Sequence, residues 1–265
     1  VPSEEKDRYL SHSLVRGLEI LQMFDVETPT LSLAEISSRL HVGRTVPYRL
    51  LYTLQAMGFI SQDENTKRYE LSPKVLNLGF SYLTTLQIPD ISKPYLEQLR
   101  DRTGASAHLG VLDGKEIVYV LRVAARGITS LNVSIGSRLP AHATSIGKCL
   151  LAYQPNERLN ELLYGSELQP FTNQTKTKVL ELRTELTSIL ENGYAMSKGE
   201  FESGIHSIAA PIFDRSGTAV AAINIAAPKS FLNEEFISAV ALNEVCKTAL
   251  LISEYFGYRL TTVHS

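Results

Sequence analysis

Cysteine is almost absent from this chain of 265 residues: Cys149 and Cys246 stand far apart and at no metal-ligand spacing. That argues against a disulfide framework and for a reducing compartment. Long apolar runs are missing too. No consecutive stretch approaches the ~20 apolar residues of a membrane helix, and Val1 to Tyr9 are polar and of mixed charge, unlike a signal peptide. The expectation is a soluble, cytoplasmic protein with no membrane partner. Charge of one sign is not in excess, because 26 Lys and Arg face 28 Asp and Glu for a net charge of -2. A protein basic throughout is excluded; a local basic patch is not. The six histidines never fall at metal-ligand spacing, so neither a metal nor a cofactor is expected. Enzyme signatures fail in detail. Ala143-Thr144-Ser145-Ile146-Gly147 lacks the first glycine of a nucleophile elbow. Gly147-Lys148 looks like the end of a phosphate loop, but His142 replaces the first glycine and Cys149 the Ser or Thr.

What is present is globular composition, 44% hydrophobic and 20% charged, in a chain long enough for two domains. Leu14, Leu18 and Leu21, with Phe24 one turn on, predict an amphipathic first helix. Ser32-Leu33-Ala34-Glu35 has the pattern of a capping box, and Leu33, Ile36 and Leu40 stripe the short helix it opens. His41-Val42-Gly43 is a turn of the length that joins the helices of a helix-turn-helix. A third helix from about Arg44 to Met57 would pack inward through Val46, Leu50, Leu54 and Met57. Arg44, Thr45, Tyr48, Arg49 and Tyr52 then share an opposite arc of about 140°. Guanidiniums, phenols and a hydroxyl on one exposed face suit a helix lying in a DNA major groove. Gly58 closes that helix, and the alternating runs 59–62 and 67–71 predict a β-hairpin wing with Lys67 and Arg68 near its tip. Arg16, on the first helix, is either a further phosphate contact or an ordinary exposed helix residue. From Arg39 to Lys74 six basic residues face three acidic ones, in a chain that is acidic as a whole. The partner expected is double-stranded DNA.

Ser72-Pro73 opens a linker helix with Leu76, Phe80 and Leu83 on one face, ending at Ile88-Pro89, and another helix spans about 90–102. The pattern then turns to strands. Residues 105–112 and 116–123 flank Asp113-Gly114, a strong hairpin signal. Residues 128–135 predict a third strand and 136–143 a loop. Helices are expected over 145–153, 176–191 and 234–256, and a second hairpin over 207–213 and 218–226. Strand pairs separated by helices predict an α+β fold with a mainly antiparallel sheet. The organisation read is a winged helix-turn-helix over 1–73, a linker helix over 74–89 and a second domain over 90–265, with no repeat or low-complexity segment.

Three stretches in order resemble the IclR family of bacterial regulators. They are Ser13-Leu14-Val15-Arg16-Gly17-Leu18 with Arg49-Leu50-Leu51-Tyr52-Thr53-Leu54; then Leu139-Pro140-Ala141-His142-Ala143-Thr144-Ser145-Ile146-Gly147-Lys148; then Gly193-Tyr194-Ala195 with Glu200, Gly204 and Ile208-Ala209-Ala210-Pro211. The resemblance runs from about Ser13 to Tyr255. It implies a GAF-like effector domain, a homodimer or homotetramer, and control of a catabolic operon by a small carboxylic acid. Gly136-Ser137-Arg138-Leu139-Pro140 and Glu200-Phe201-Glu202-Ser203-Gly204 look most like the branch sensing aromatic acids such as protocatechuate. Two residues depart from the family pattern. Pro47 is tolerable only in the first turn of the recognition helix, and His206 replaces a frequent arginine.

The resemblance maps the family's small-acid site onto Ser197 and Ser207, with Glu200 and His206 close by. From the residues themselves, Ser145 and the amides that follow it sit where a helix start either faces a carboxylate or is simply capped. His142 is either an effector contact or a cap for that helix. His108, on a strand face with Ser106, reads as a buried structural histidine. The function expected is DNA-binding regulation, not enzymology; the alternative is a hydrolase working through Ser145 and His142 and joined to a DNA-binding module.

Overall fold

The capping box forms as its residue types dictate. Ser32 Oγ accepts from the Glu35 amide at 3.3 Å while the Glu35 carboxylate accepts from the Ser32 amide at 2.7 Å. This is a computed structural model, which describes residues 9–126, 133–165 and 167–259. The chain divides into two units, Val1–Thr85 and Leu86–Ser265.

In the first unit the order is α1 (His12–Gln22), β1 (Thr30–Leu31), α2 (Leu33–Arg39), α3 (Thr45–Ala56), β2 (Ile60–Gln62), β3 (Tyr69–Leu71) and α4 (Val75–Thr85). The strands form an antiparallel sheet in the order β1-β3-β2, the wing of a winged helix-turn-helix. Ile20, Leu31, Ile36, Leu51, Ile60 and Tyr69 are its buried core. Two expected stripes are rotated. Leu14 and Leu18 face outward, 62% and 49% exposed, because α1 packs through Ile20 with Leu21, Met23 and Phe24. On α3, Val46 and Met57 are exposed and the inward face is Pro47, Leu50, Leu51 and Leu54. Pro47 sits in the first turn, where its missing N–H is harmless, and contributes its ring to the inner face. The linker helix ends at Thr85, three residues earlier than read; the side chains of Phe80 and Leu83 lie outside those described, and Leu76 is exposed.

The second unit runs α5 (Ile88–Thr103), β4 (Ser106–Asp113), β5 (Glu116–Val123), β6 (Arg138–Pro140), a 3-10 turn (Ala141–Ala143), α6 (Ser145–Ala152), α7 (Asn156–Leu163), α8 (Val179–Asn192), β7 (Ala195–Lys198), β8 (Ile205–Phe213), β9 (Ala219–Pro228) and α9 (Glu234–Tyr255). Its sheet is antiparallel throughout, in the order β6-β5-β4-β9-β8-β7. Three elements differ from the sequence reading. The expected loop 136–143 contains the edge strand β6, and neither α7 nor β7 was foreseen. The strand read at 128–135 falls mostly outside the described residues. α9 is long and apolar enough to cross a membrane by composition. Its apolarity is accounted for by a buried stripe, Ile237, Ala241, Val245, Ala249 and Ile252, packed against β8 and α5.

Register decides which side chains share a face. Ser197 lies opposite Ser207, Ser207 opposite Ala226, and Asn224 opposite both Ala209 and His108. Directly paired residues, and residues two apart on one strand, point the same way. Ser197, Ser207, Ala226, Asn224 and His108 therefore gather on one side of the sheet, the side that meets the start of α6.

Candidate DNA-binding and effector sites

Arg16 of α1 and Thr45, Tyr48 and Arg49 of α3 line one open groove, with Val46 and Tyr52 between them. Two helices thus bring the residues expected at DNA into one groove. Arg44 is exposed at the N-cap position of α3. Lys67 occupies the wing turn with φ 57°, in a loop organised by Asp63, whose carboxylate accepts from the Asn65 and Thr66 amides. Arg68 is different. Its Nε donates to Thr30 Oγ1 and its Nη2 to the Thr30 carbonyl, both at 2.9 Å, and it pairs with Glu35. Those bonds draw it back against β1 and the capping box, so the expected wing contact serves to fasten the wing. Arg49→Ala is therefore expected to lower operator affinity by about 1–3 kcal/mol without altering the melting temperature. Arg68→Ala should instead cost about 1 kcal/mol of stability in the first unit. Fluorescence anisotropy on DNA and thermal melts separate the two.

The second unit holds a small cavity, of about 30 Å³, on the face just described. Its polar lining is His108, Thr144, Ser197, Ser207 and Asn224, its apolar walls include Tyr119, Leu139 and Phe201, and Glu202 stands at an exposed rim. His108 Nδ1 lies 2.9 Å from Asn224 Oδ1, and Asn224 Nδ2 donates to Ser145 Oγ at 3.3 Å. Burial pushes the His108 pKa down to about 4; the Asn224 bond opposes this and the Arg122 charge adds to it. Ser197 Oγ donates to the Ala143 carbonyl at 3.3 Å. A small, mostly apolar hollow with a few converging polar groups is the usual form of a small-molecule site.

Of the residues read as effector contacts, Ser197 and Ser207 line this cavity. Ser145 lies behind it, fully buried, holding Asn224. The other three point elsewhere. His206 neighbours Ser207 on β8, so strand alternation turns it to the opposite face, where its Nδ1 is 3.1 Å from the Leu232 carbonyl. Glu200 is buried against Lys148, Oε1 to Nζ 2.6 Å. His142 neither lines the cavity nor caps α6: its Nε2 is 3.0 Å from the Gln169 carbonyl, and Thr144 is the cap, accepting from the Gly147 amide. Asn224, Tyr119 and the cavity role of His108 were missed. Asn224 carried a legible signal, a lone amide in the apolar strand Ala219–Pro228.

A winged helix-turn-helix followed by an antiparallel α+β unit is the organisation of a transcription regulator with a DNA-binding and a second domain. The comparisons agree. Residues 13–64 match the model of the IclR helix-turn-helix domain, and residues 80–254 that of the bacterial transcriptional regulator IclR C-terminal domain. The Pca regulon regulatory protein of Pseudomonas putida is 36% identical over 80% of this chain and 73% of its own. The Pca operon regulatory protein of Acinetobacter baylyi is 34% identical over 84% and 81%. The crystal structure of Thermotoga maritima IclR superposes with a TM-score of 0.74 at 31% identity, covering 93% of this chain and 99% of that one. The chain belongs to the IclR family of bacterial transcriptional regulators, and it is a DNA-binding regulator with an effector domain.

Proposed function

We propose that this regulator senses a small aromatic carboxylic acid in the His108–Ser207 cavity and thereby changes the affinity of its helix-turn-helix for a catabolic operator. The observation that carries the reading is the convergence of Ser197, Ser207, Asn224 and His108 on one hollow with an aromatic and aliphatic lining. The resemblance to the aromatic-acid branch and the Pca regulators among the relatives support the class of ligand. The carboxylate is assigned to the start of α6, beside Thr144, where first-turn amides and the helix dipole favour negative charge. Arg16, Arg44, Thr45, Tyr48, Arg49 and Lys67 are proposed as the DNA contacts. The apolar faces around Leu14, Leu18, Leu76 and Leu78 are exposed on this chain, which supports a homodimer or homotetramer meeting a palindromic operator. The protein works in the cytoplasm and releases its ligand unchanged.

A thermal-shift screen of aromatic and aliphatic acids on the full chain tests this. An effector at a hundredfold excess over its Kd adds about 2.7 kcal/mol to the stability of the unit that binds it. Recovery of the acid intact after incubation supports a sensor. Turnover would favour the hydrolase alternative.

A further inference from the structure

The orientation of Asn224 has a chemical consequence for His108. An amide oxygen only accepts, and Asn224 Oδ1 faces His108 Nδ1 at 2.9 Å while Nδ2 is turned to Ser145 Oγ. That amide orientation assigns the ring proton of His108 to Nδ1. Burial keeps the imidazole from taking a second proton, since its pKa is pushed down to about 4. Nε2 is then a bare lone pair. It is buried and, among the described residues, has no hydrogen-bond partner, in a ring that lines the cavity. A buried acceptor left unmet is costly, and the residue that meets it must bring a proton.

We propose that His108 is the specificity-determining residue of the cavity: its Nε2 accepts a hydrogen bond from a hydroxyl of the effector, so the site selects acids that carry a hydroxyl over the same acids without one. The inference rests on the effector reading of this cavity. A carboxylate is the wrong group for Nε2, because its oxygens would meet the lone pair with negative charge. Ligand polarity follows, with the carboxylate beside Thr144 and the hydroxyl at His108. An acid that lacks the hydroxyl leaves Nε2 unpaired in the bound state, and sites built to bond a hydroxyl discriminate strongly on that ground.

The test is calorimetric titration of the full chain with 3- and 4-hydroxybenzoate, benzoate and 4-fluorobenzoate, whose fluorine approximates a hydroxyl in size but donates nothing. One hydroxybenzoate is expected to bind about tenfold or more tighter than benzoate and 4-fluorobenzoate. His108→Phe should abolish that ratio by weakening the hydroxy acid alone. Histidine ring 15N spectra of the wild type should show His108 protonated on Nδ1, with the Nε2 resonance moving when the hydroxy acid is added, and they decide the matter if His108→Phe does not fold. A ratio that survives in folded His108→Phe, or a proton found on Nε2, overturns the proposal. Equal affinity for all four acids, lost in the cavity-filling Ser207→Phe, would remove the role of His108 and leave the cavity as the effector site. Binding of none of them, or binding that persists in Ser207→Phe, would remove both.

Discussion

Lys148→Ala is expected to destabilise the second unit by about 3–5 kcal/mol, the cost of leaving buried charges without their partner. The lysine is wholly enclosed. Its Nζ lies 2.7 Å from Glu185 Oε1 of α8 and 2.6 Å from Glu200 Oε1, on the segment that leads to Phe201 and Glu202 of the cavity. Lys176 approaches the same carboxylates from outside, 2.9 Å from Glu185 Oε2 and 3.8 Å from Glu200 Oε2. With Lys148 gone, two carboxylates would share one half-exposed cation. Urea unfolding followed in the second unit reads the loss. Pairing Lys148→Met with Glu200→Gln should restore part of it, because the double variant buries one uncompensated charge fewer; strict additivity of the two losses would mean the groups do not interact.

Gly147→Ala should be nearly as severe, at about 3 kcal/mol or more. A Cβ at this position would overlap the Ala141 carbonyl oxygen and the Ala141 Cα. These are backbone atoms of the 3-10 turn, so no side chain can swing aside; α6 must move away from the turn. Such a shift disturbs the Thr144 cap and the Ala143–Thr144 edge of the cavity at once. Thermal melting and acid titration of the variant should both fail, while the first unit keeps its DNA affinity. Wild-type melting would show that the close approach is not required.

Much of the first unit was legible because its signals are local. The capping box, the turn after α2, the wing and the polar face of α3 each lie within a few consecutive residues. What local periodicity could not decide was which of two apolar stripes turns inward. α1 and the turn after it carry Leu14 and Leu18 on one side and Ile20 and Phe24 on another, and only the packed core selects the second. Reading Pro47 as a departure hid its place beside Leu51 on the inner face of α3. In the second unit the hairpins were visible from alternation and Asp113-Gly114, whereas β6 and β7 are too short, at three and four residues, to show a period. The cavity is assembled from strands distant in sequence. Its parity follows from register, so Ser207 points into it and His206, one residue earlier, points away. Lys148 was noticed for a phosphate-loop pattern, but a lone charge in an otherwise apolar helix was the better signal of a buried ion pair.

The most direct test of the whole account is the affinity of the full chain for operator DNA, titrated at fixed salt with and without the hydroxybenzoate that stabilises it best. The account predicts a salt-dependent complex that Arg49→Ala weakens, and an affinity that the acid changes by about fivefold or more. It also predicts that Ser207→Phe binds DNA as the wild type does but no longer responds to the acid. DNA binding indifferent to every acid that binds the cavity, or unchanged in Arg49→Ala and Arg44→Ala together, would contradict it.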